Sequence, residues 1–306
     1  MNLHEYQRLQ AERGELDKLL AQTPETDAID RMSLQSRKDS IEKVLATVPT
    51  PIREPVRAKL TFRGKPVVKS YGILAEFGAL AVNRFADAIA AFAASMAGPL
   101  GARGAIPNRD DFQLLITGTA LGSFGFELEE RAKDGEMYFE EFSSIEPAID
   151  KASALMKASL GSDDDLADAA SDIDPRALIS LRDFLRTLVE HEAICSLEYK
   201  DKCFRFCDSG EVRRSQERLS QDNIREKEEQ IEGAFQGVLP KRRTFEFKLS
   251  STQEIIAGKV GAGIADAGVI NRILNQPTKI CVHTTCVGTG RPRYVLLKYE
   301  EPSSLE

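Results

Sequence analysis

The stretch "VPTPIREP", from Val48 to Pro55, constrains this chain more than any other, because three prolines fall within eight residues. Proline fixes its own φ, lacks a backbone donor and restricts the residue before it, so no helix runs through such a stretch. The apolar spacing changes across it. Before it, Leu3, Tyr6, Leu9, Leu16, Leu19 and Leu20 recur at helical intervals, Pro24 interrupts, and Ile29, Met32, Ile41, Val44 and Leu45 form a second stripe. After it, Leu60 and Phe62 alternate with polar residues. A period of 3.6 gives way to a period of two, so helices give way to strands. Residues 1–47 are therefore predicted as a helical hairpin or coiled coil, with a boundary at the prolines. Short isolated helices are marginal in water, so this hairpin is expected to pack on the body, on a second copy of the chain or on a protein partner.

Residues 56–230 read as a mixed α+β domain. A strand near Leu60 and Phe62 meets a turn at Gly64, with Val67-Val68 as its expected return. An apolar helix follows over 73–97 and stops at Gly98-Pro99. A hairpin spans 112–130, where Phe124, Phe126 and Leu128 share one face by period two. Helices are predicted over about 144–160, 163–170 and 175–190. The last is the best marked, with Asp174 as N-cap and Pro175 at its first position. A short hairpin then turns near Asp201, a polar helix starts at Ser209, and the charged "IREKEEQ" (224–230) reads as a link to the last module.

That module, residues 231–301, gives the order β-β-β-α-β-β, with Phe245, Phe247 and Leu249 on one side of the second strand. Element order resembles the OB-fold, a five-stranded barrel with a helix between its third and fourth strands; an SH3-like barrel with an inserted helix gives a similar string. The resemblance covers only this quarter of the chain and rests on order, not on a residue motif. It implies that "PKRR" and "GTGRPR" are the two loops flanking a ligand face, with Lys241, Arg242, Arg243, Arg291 and Arg293 gathered on one rim. Arginine offers forked donors and lysine a point charge, both suited to phosphate. Charged residues also guard ordinary hairpin tips and strand edges, which is the competing account of the same cluster.

The charge distribution points the same way. The chain carries −7 overall, yet residues 231–299 carry +6 and the first 230 carry −10. Such a split suggests different partners for different parts. The charged N-terminus is unlike a signal peptide, and the longest apolar stretch is Ala-rich and broken by Asp87, so no membrane partner is expected. Five cysteines, an odd number, suit a reducing, cytoplasmic setting.

Motifs for chemistry are sparse. Cys203 and Cys207 lie about 13 Å apart along a strand, too far to share an ion, and Cys281, His283 and Cys286 lack knuckle spacing, so no metal is expected. "GSDDDLADAASDID" holds six aspartates in fourteen residues, yet lacks the glycine and closing glutamate of a calcium loop. Helix capping accounts for it. "GTALGSFG" is neither a dinucleotide nor a phosphate loop; Gly118, Gly122 and Gly125 are kept as a possible ligand loop because glycine permits close backbone approach. Three histidines and no nucleophile elbow name no catalytic residue, and no cofactor is implied. The leading expectation is a non-enzymatic binding or adaptor protein: a basic barrel rim for nucleic acid or an acidic partner, and a hairpin for oligomerisation or partner contact. The alternatives are an enzyme or small-molecule sensor with its site near the glycine-rich hairpin, and a structural subunit of a larger complex.

Overall fold

A computed structural model of the chain describes residues 3–24, 26–47, 54–101, 103–120, 124–131 and 143–300. The protein is α+β. Helices α1 (Leu3–Gln22) and α2 (Ala28–Ala46) form the predicted hairpin. Arg31 ties the turn by donating to the carbonyls of Leu20 and Thr23, while Arg37–Glu12 and Lys38–Asp17 ion pairs cross between the helices. Leu16 and Ile41 are its buried apolar side chains, whereas Ile29 and Met32, from the predicted stripe, stand 83% and 75% exposed. The described part of "VPTPIREP", Glu54 and Pro55, is irregular backbone leading into the first strand.

The middle of the chain is a sheet with helices packed on one face. Strands β1 (Arg57–Gly64), β4 (Leu114–Ala120), β5 (Phe124–Glu130), β6 (Ala193–Tyr199) and β7 (Lys202–Arg205) lie in the order β4-β5-β1-β6-β7, every neighbour antiparallel. Alternation sends Leu60, Phe62, Leu128 and Leu197 inward against helices α3 (Ala75–Ala97), α4 (Ile145–Ala158) and α6 (Pro175–Glu190). Phe62 meets Phe77 edge-on at 5.3 Å, and Phe85 meets Phe184 at 5.5 Å. Helix α3 is long and apolar enough to cross a membrane by length and composition, but 67% of its apolar window is buried inside the fold. Asp174 caps α6 as predicted by accepting from the Arg176 amide at 2.9 Å, and Ser162 and Asp165 form a reciprocal capping box on α5 (Asp163–Ala170). Val67-Val68 is not the return of the first strand. It forms β2 and pairs with β3 (Gly72–Ile73), because β1 is already flanked on both sides by β5 and β6.

After α7 (Ser209–Arg218) the chain closes a five-stranded barrel from β8 (Ile224–Leu239), β9 (Thr244–Leu249), β10 (Ile255–Val260), β11 (Thr278–Val287) and β12 (Arg293–Tyr299). Its order is β10-β12-β11-β8-β9, antiparallel throughout except for the parallel β10/β12 pair that closes it. "IREKEEQ" is therefore not a link but the first half of β8, paired residue for residue with β11 from Ile224↔Val287. Phe235, Phe245, Phe247, Ile270, Ile280, Val282 and Leu296 fill the barrel. Gly258 sits at the closing seam, where a Cβ would stand 2.4 Å from the Tyr294 carbonyl oxygen and 2.7 Å from the Phe245 ring. The segment between β10 and β11 is a 3-10 helix, Ala267–Ile273, opened by Asp266, rather than a regular α-helix. The barrel has its own core, yet Ile224 and Val287 at one end of it belong to the core of the middle region.

Candidate functional site

The outer wall of β9, β10 and β12 follows from parity. Phe245, Phe247, Val260 and Leu296 point in, so Thr244, Lys259, Val295 and Arg293 point out. Thr244, Lys259 and Val295 lie side by side across three strands. β9 runs away from the 240–243 turn while β12 runs away from the 288–292 turn in the opposite sense, so the two basic loops sit toward opposite ends of this wall instead of gathering on one rim.

The two loops also differ in what their cations touch. Lys241 and Arg242 are exposed, and neither side chain has a partner among the described residues. Arg243 is built into the barrel. It adopts a left-handed backbone (φ 49°), and its guanidinium donates to the carbonyls of Val260 at 3.3 Å and of Gly261 and Ile264 at 2.7 Å each. Those carbonyls belong to the chain leaving β10, so Arg243 pins one loop to another. Arg291 is exposed, with its side chain unpartnered among the described residues. Arg293 lies on α5, with Nε 2.5 Å from Asp168 Oδ1 and a terminal nitrogen 3.1 Å from Asp164 Oδ1. Its bond to Asp168 first, then the charges of both carboxylates, hold its pKa above the ordinary guanidinium value.

Lys259 is a cation that the loop-based reading of the sequence passes over. It shares the outward face with Arg293 and pairs with Asp172, just beyond α5. The outward alternation of Ile255, Ala257 and Lys259 is the signal that could have found it.

The glycine-rich hairpin places Gly118 and Gly125 in β4 and β5; Gly122 lies outside the described residues. A Cβ on Gly125 would stand 2.2 Å from the Leu60 carbonyl oxygen, so that glycine serves the close pairing of β5 with β1. Beside Gly118 an open trough of about 770 Å³ runs over the uncovered face of the sheet, lined by Arg57, Lys59, Glu127, Glu129, Glu198 and Lys200. Its cations already have partners: Arg57 pairs across strands with Glu129 at 2.8 Å, Lys59 with Glu127 at 3.6 Å, and Lys200 with Glu146 on α4.

The remaining titratable groups are distributed rather than assembled. Burial pushes the Cys195 thiol up to about 12, which leaves it protonated and inert. His191 ends α6 with Nδ1 2.9 Å from the Thr187 carbonyl oxygen. His283 points out of the barrel while Cys286, three residues on, points the other way; the imidazole faces Glu226 at 3.7 Å. Among the described residues no three His, Cys, Asp or Glu side chains are placed to hold a metal ion.

No protein-family model matches the chain, and no curated protein and no solved structure matches it either.

Proposed function

We propose that this protein is a non-enzymatic nucleic-acid-binding protein whose C-terminal barrel is of the OB type. Three features support the barrel type: the strand order, the parallel pair joining the third and fifth strands, and the helical turn between the third and fourth. The observation that carries the binding reading is the pair Lys241 and Arg242, cations without partners among the described residues, at the exposed end of a positively charged module in a negatively charged chain. The Phe side chains of the barrel fill its core, so the reading rests on phosphate binding and not on base stacking. The N-terminal hairpin, with Ile29 and Met32 exposed, is the proposed surface for self-association or a protein partner.

Fluorescence anisotropy with single- and double-stranded DNA and RNA tests this reading at two salt concentrations. Lys241→Glu/Arg242→Glu is expected to lose affinity for every sequence and to flatten the salt dependence. Arg243 stays unaltered in this test because its loss disturbs the loop itself. Equal binding by the variant and the wild type refutes the assignment.

A further inference from the structure

The sequence run "GSDDDLADAASDID" is more than a set of helix caps. Asp163 pairs with Arg218 at 2.7 Å, and Asp165 closes the capping box, so those two serve the fold of the middle region. Asp164, Asp168 and Asp172 recur at every fourth residue and reach across to the barrel, the first two to Arg293 and the third to Lys259. The loop between β11 and β12 is fitted beneath them. Gly288 has φ 53°, and a Cβ there would stand 2.7 Å from Asp163 Oδ2.

We infer that the β10–β12 wall is a second part of the polyanion-binding surface, and that the carboxylates of Asp164, Asp168 and Asp172 occupy it as internal stand-ins for the phosphates of a single-stranded nucleic acid. This inference rests on the nucleic-acid reading above. A guanidinium that donates to two carboxylates, as Arg293 does, can donate to phosphate oxygens in the same way. On the acidic side Asp164 and Asp168 stand one step apart on α5, about 6 Å per four residues of helix, and Asp172 follows them just beyond its end, so the carboxylates form a row as phosphates do along a strand. The ion pairs are exchangeable, since Asp164, Asp168 and Asp172 are 58%, 63% and 43% exposed and such pairs contribute little to stability. The apolar join at Ile224 and Val287 lies at one end of the barrel, so the ion pairs can open while the two regions stay attached. A strand held at Lys241 and Arg242 must cross this wall to reach Arg291, and doing so displaces the aspartates from Lys259 and Arg293.

The test is Asp164→Asn/Asp168→Asn/Asp172→Asn in the full chain, with a fluorescent single-stranded DNA of about 20 nucleotides as probe. A control with the same change in net charge, Asp30→Asn/Glu190→Gln/Asp201→Asn, neutralises three exposed acids elsewhere. The α5 variant is expected to bind about tenfold more tightly than the control, with a salt slope steeper by roughly 1.4 for two released cations. Equal affinity and slope in the two variants, with the wild type still binding, overturns the stand-in role and leaves the nucleic-acid reading intact. Absence of binding by the wild type and both variants at low salt overturns the nucleic-acid reading and the inference with it. Equal displacement of the probe by a polyglutamate of matched charge overturns the choice of nucleic acid as the ligand.

Discussion

The two basic loops of the barrel look alike as sequence, "PKRR" and "GRPR", and they differ in the fold. The first presents Lys241 and Arg242 to solvent and commits Arg243 to three carbonyls. The second lies on α5, with Arg293 divided between two aspartates. The difference teaches that a cluster of cations in a sequence specifies charge but not its counterions. Tertiary structure assigns those, and here it supplies backbone oxygens to one loop and carboxylates to the other.

Removing the scaffold common to both loops has the largest expected effect. Phe247→Ala deletes a fully buried ring that packs on Phe235 at 5.0 Å, and is expected to lower stability by about 3–5 kcal/mol in urea denaturation. Next is Arg243→Ala, which leaves three carbonyls without their charged donor. A loss of roughly 2 kcal/mol is expected, and amide exchange should rise at Gly261 and Ile264. Arg293→Ala removes a cation of similar sequence context from exposed carboxylates, so a loss of less than about 1 kcal/mol is expected in the same assay. A cost for Arg293→Ala as large as that for Arg243→Ala contradicts the distinction between the loops.

The smallest expected effect concerns pH. The Glu226 carboxylate facing the ring at 3.7 Å, with a further contribution from the charge of Glu228, raises the pKa of His283 above its ordinary value, against the opposing effect of burial. A folded pKa above the unfolded one gives stability that is fully present below the unfolded pKa and lost as pH rises through the folded one. The wild type should therefore exceed His283→Gln in unfolding free energy from urea denaturation at about pH 5.5, by under about 1 kcal/mol, and match it more closely at about pH 8.5. A gap that widens with rising pH contradicts the placement of Glu226 against the imidazole.

Much of the fold was legible because local signals agreed with the tertiary outcome. Asp174-Pro175 marked the start of α6, and the alternation of Phe245, Phe247 and Leu249 marked β9. "IREKEEQ" was missed as a strand because both of its faces are polar. Lys227 and Glu229 project on one side and Glu226 and Glu228 on the other, so no apolar alternation announces it. The 3-10 geometry of Ala267–Ile273 was hidden behind an apolar stripe that suits either helix type. The site was legible as charge only. The partners of Arg243 come from residues 260, 261 and 264, and those of Arg293 from positions more than a hundred residues earlier. The aspartate run was read for its local use as caps, which holds for Asp165 and Asp174, while the outward use of Asp164, Asp168 and Asp172 depends on how α5 meets the barrel.

The most direct test compares the two loops in one binding assay. Lys241→Ala/Arg242→Ala and Arg291→Ala/Arg293→Ala each remove two positive charges, so their effect on net charge is the same. The salt dependence of single-stranded DNA binding is measured for both against the wild type. The account predicts that the first pair lowers the slope by roughly 1.4, the value for two phosphates no longer neutralised, and that the second pair lowers it by clearly less because Arg293 already holds two carboxylates. Equal decreases from the two pairs, or a larger decrease from the second, would contradict it.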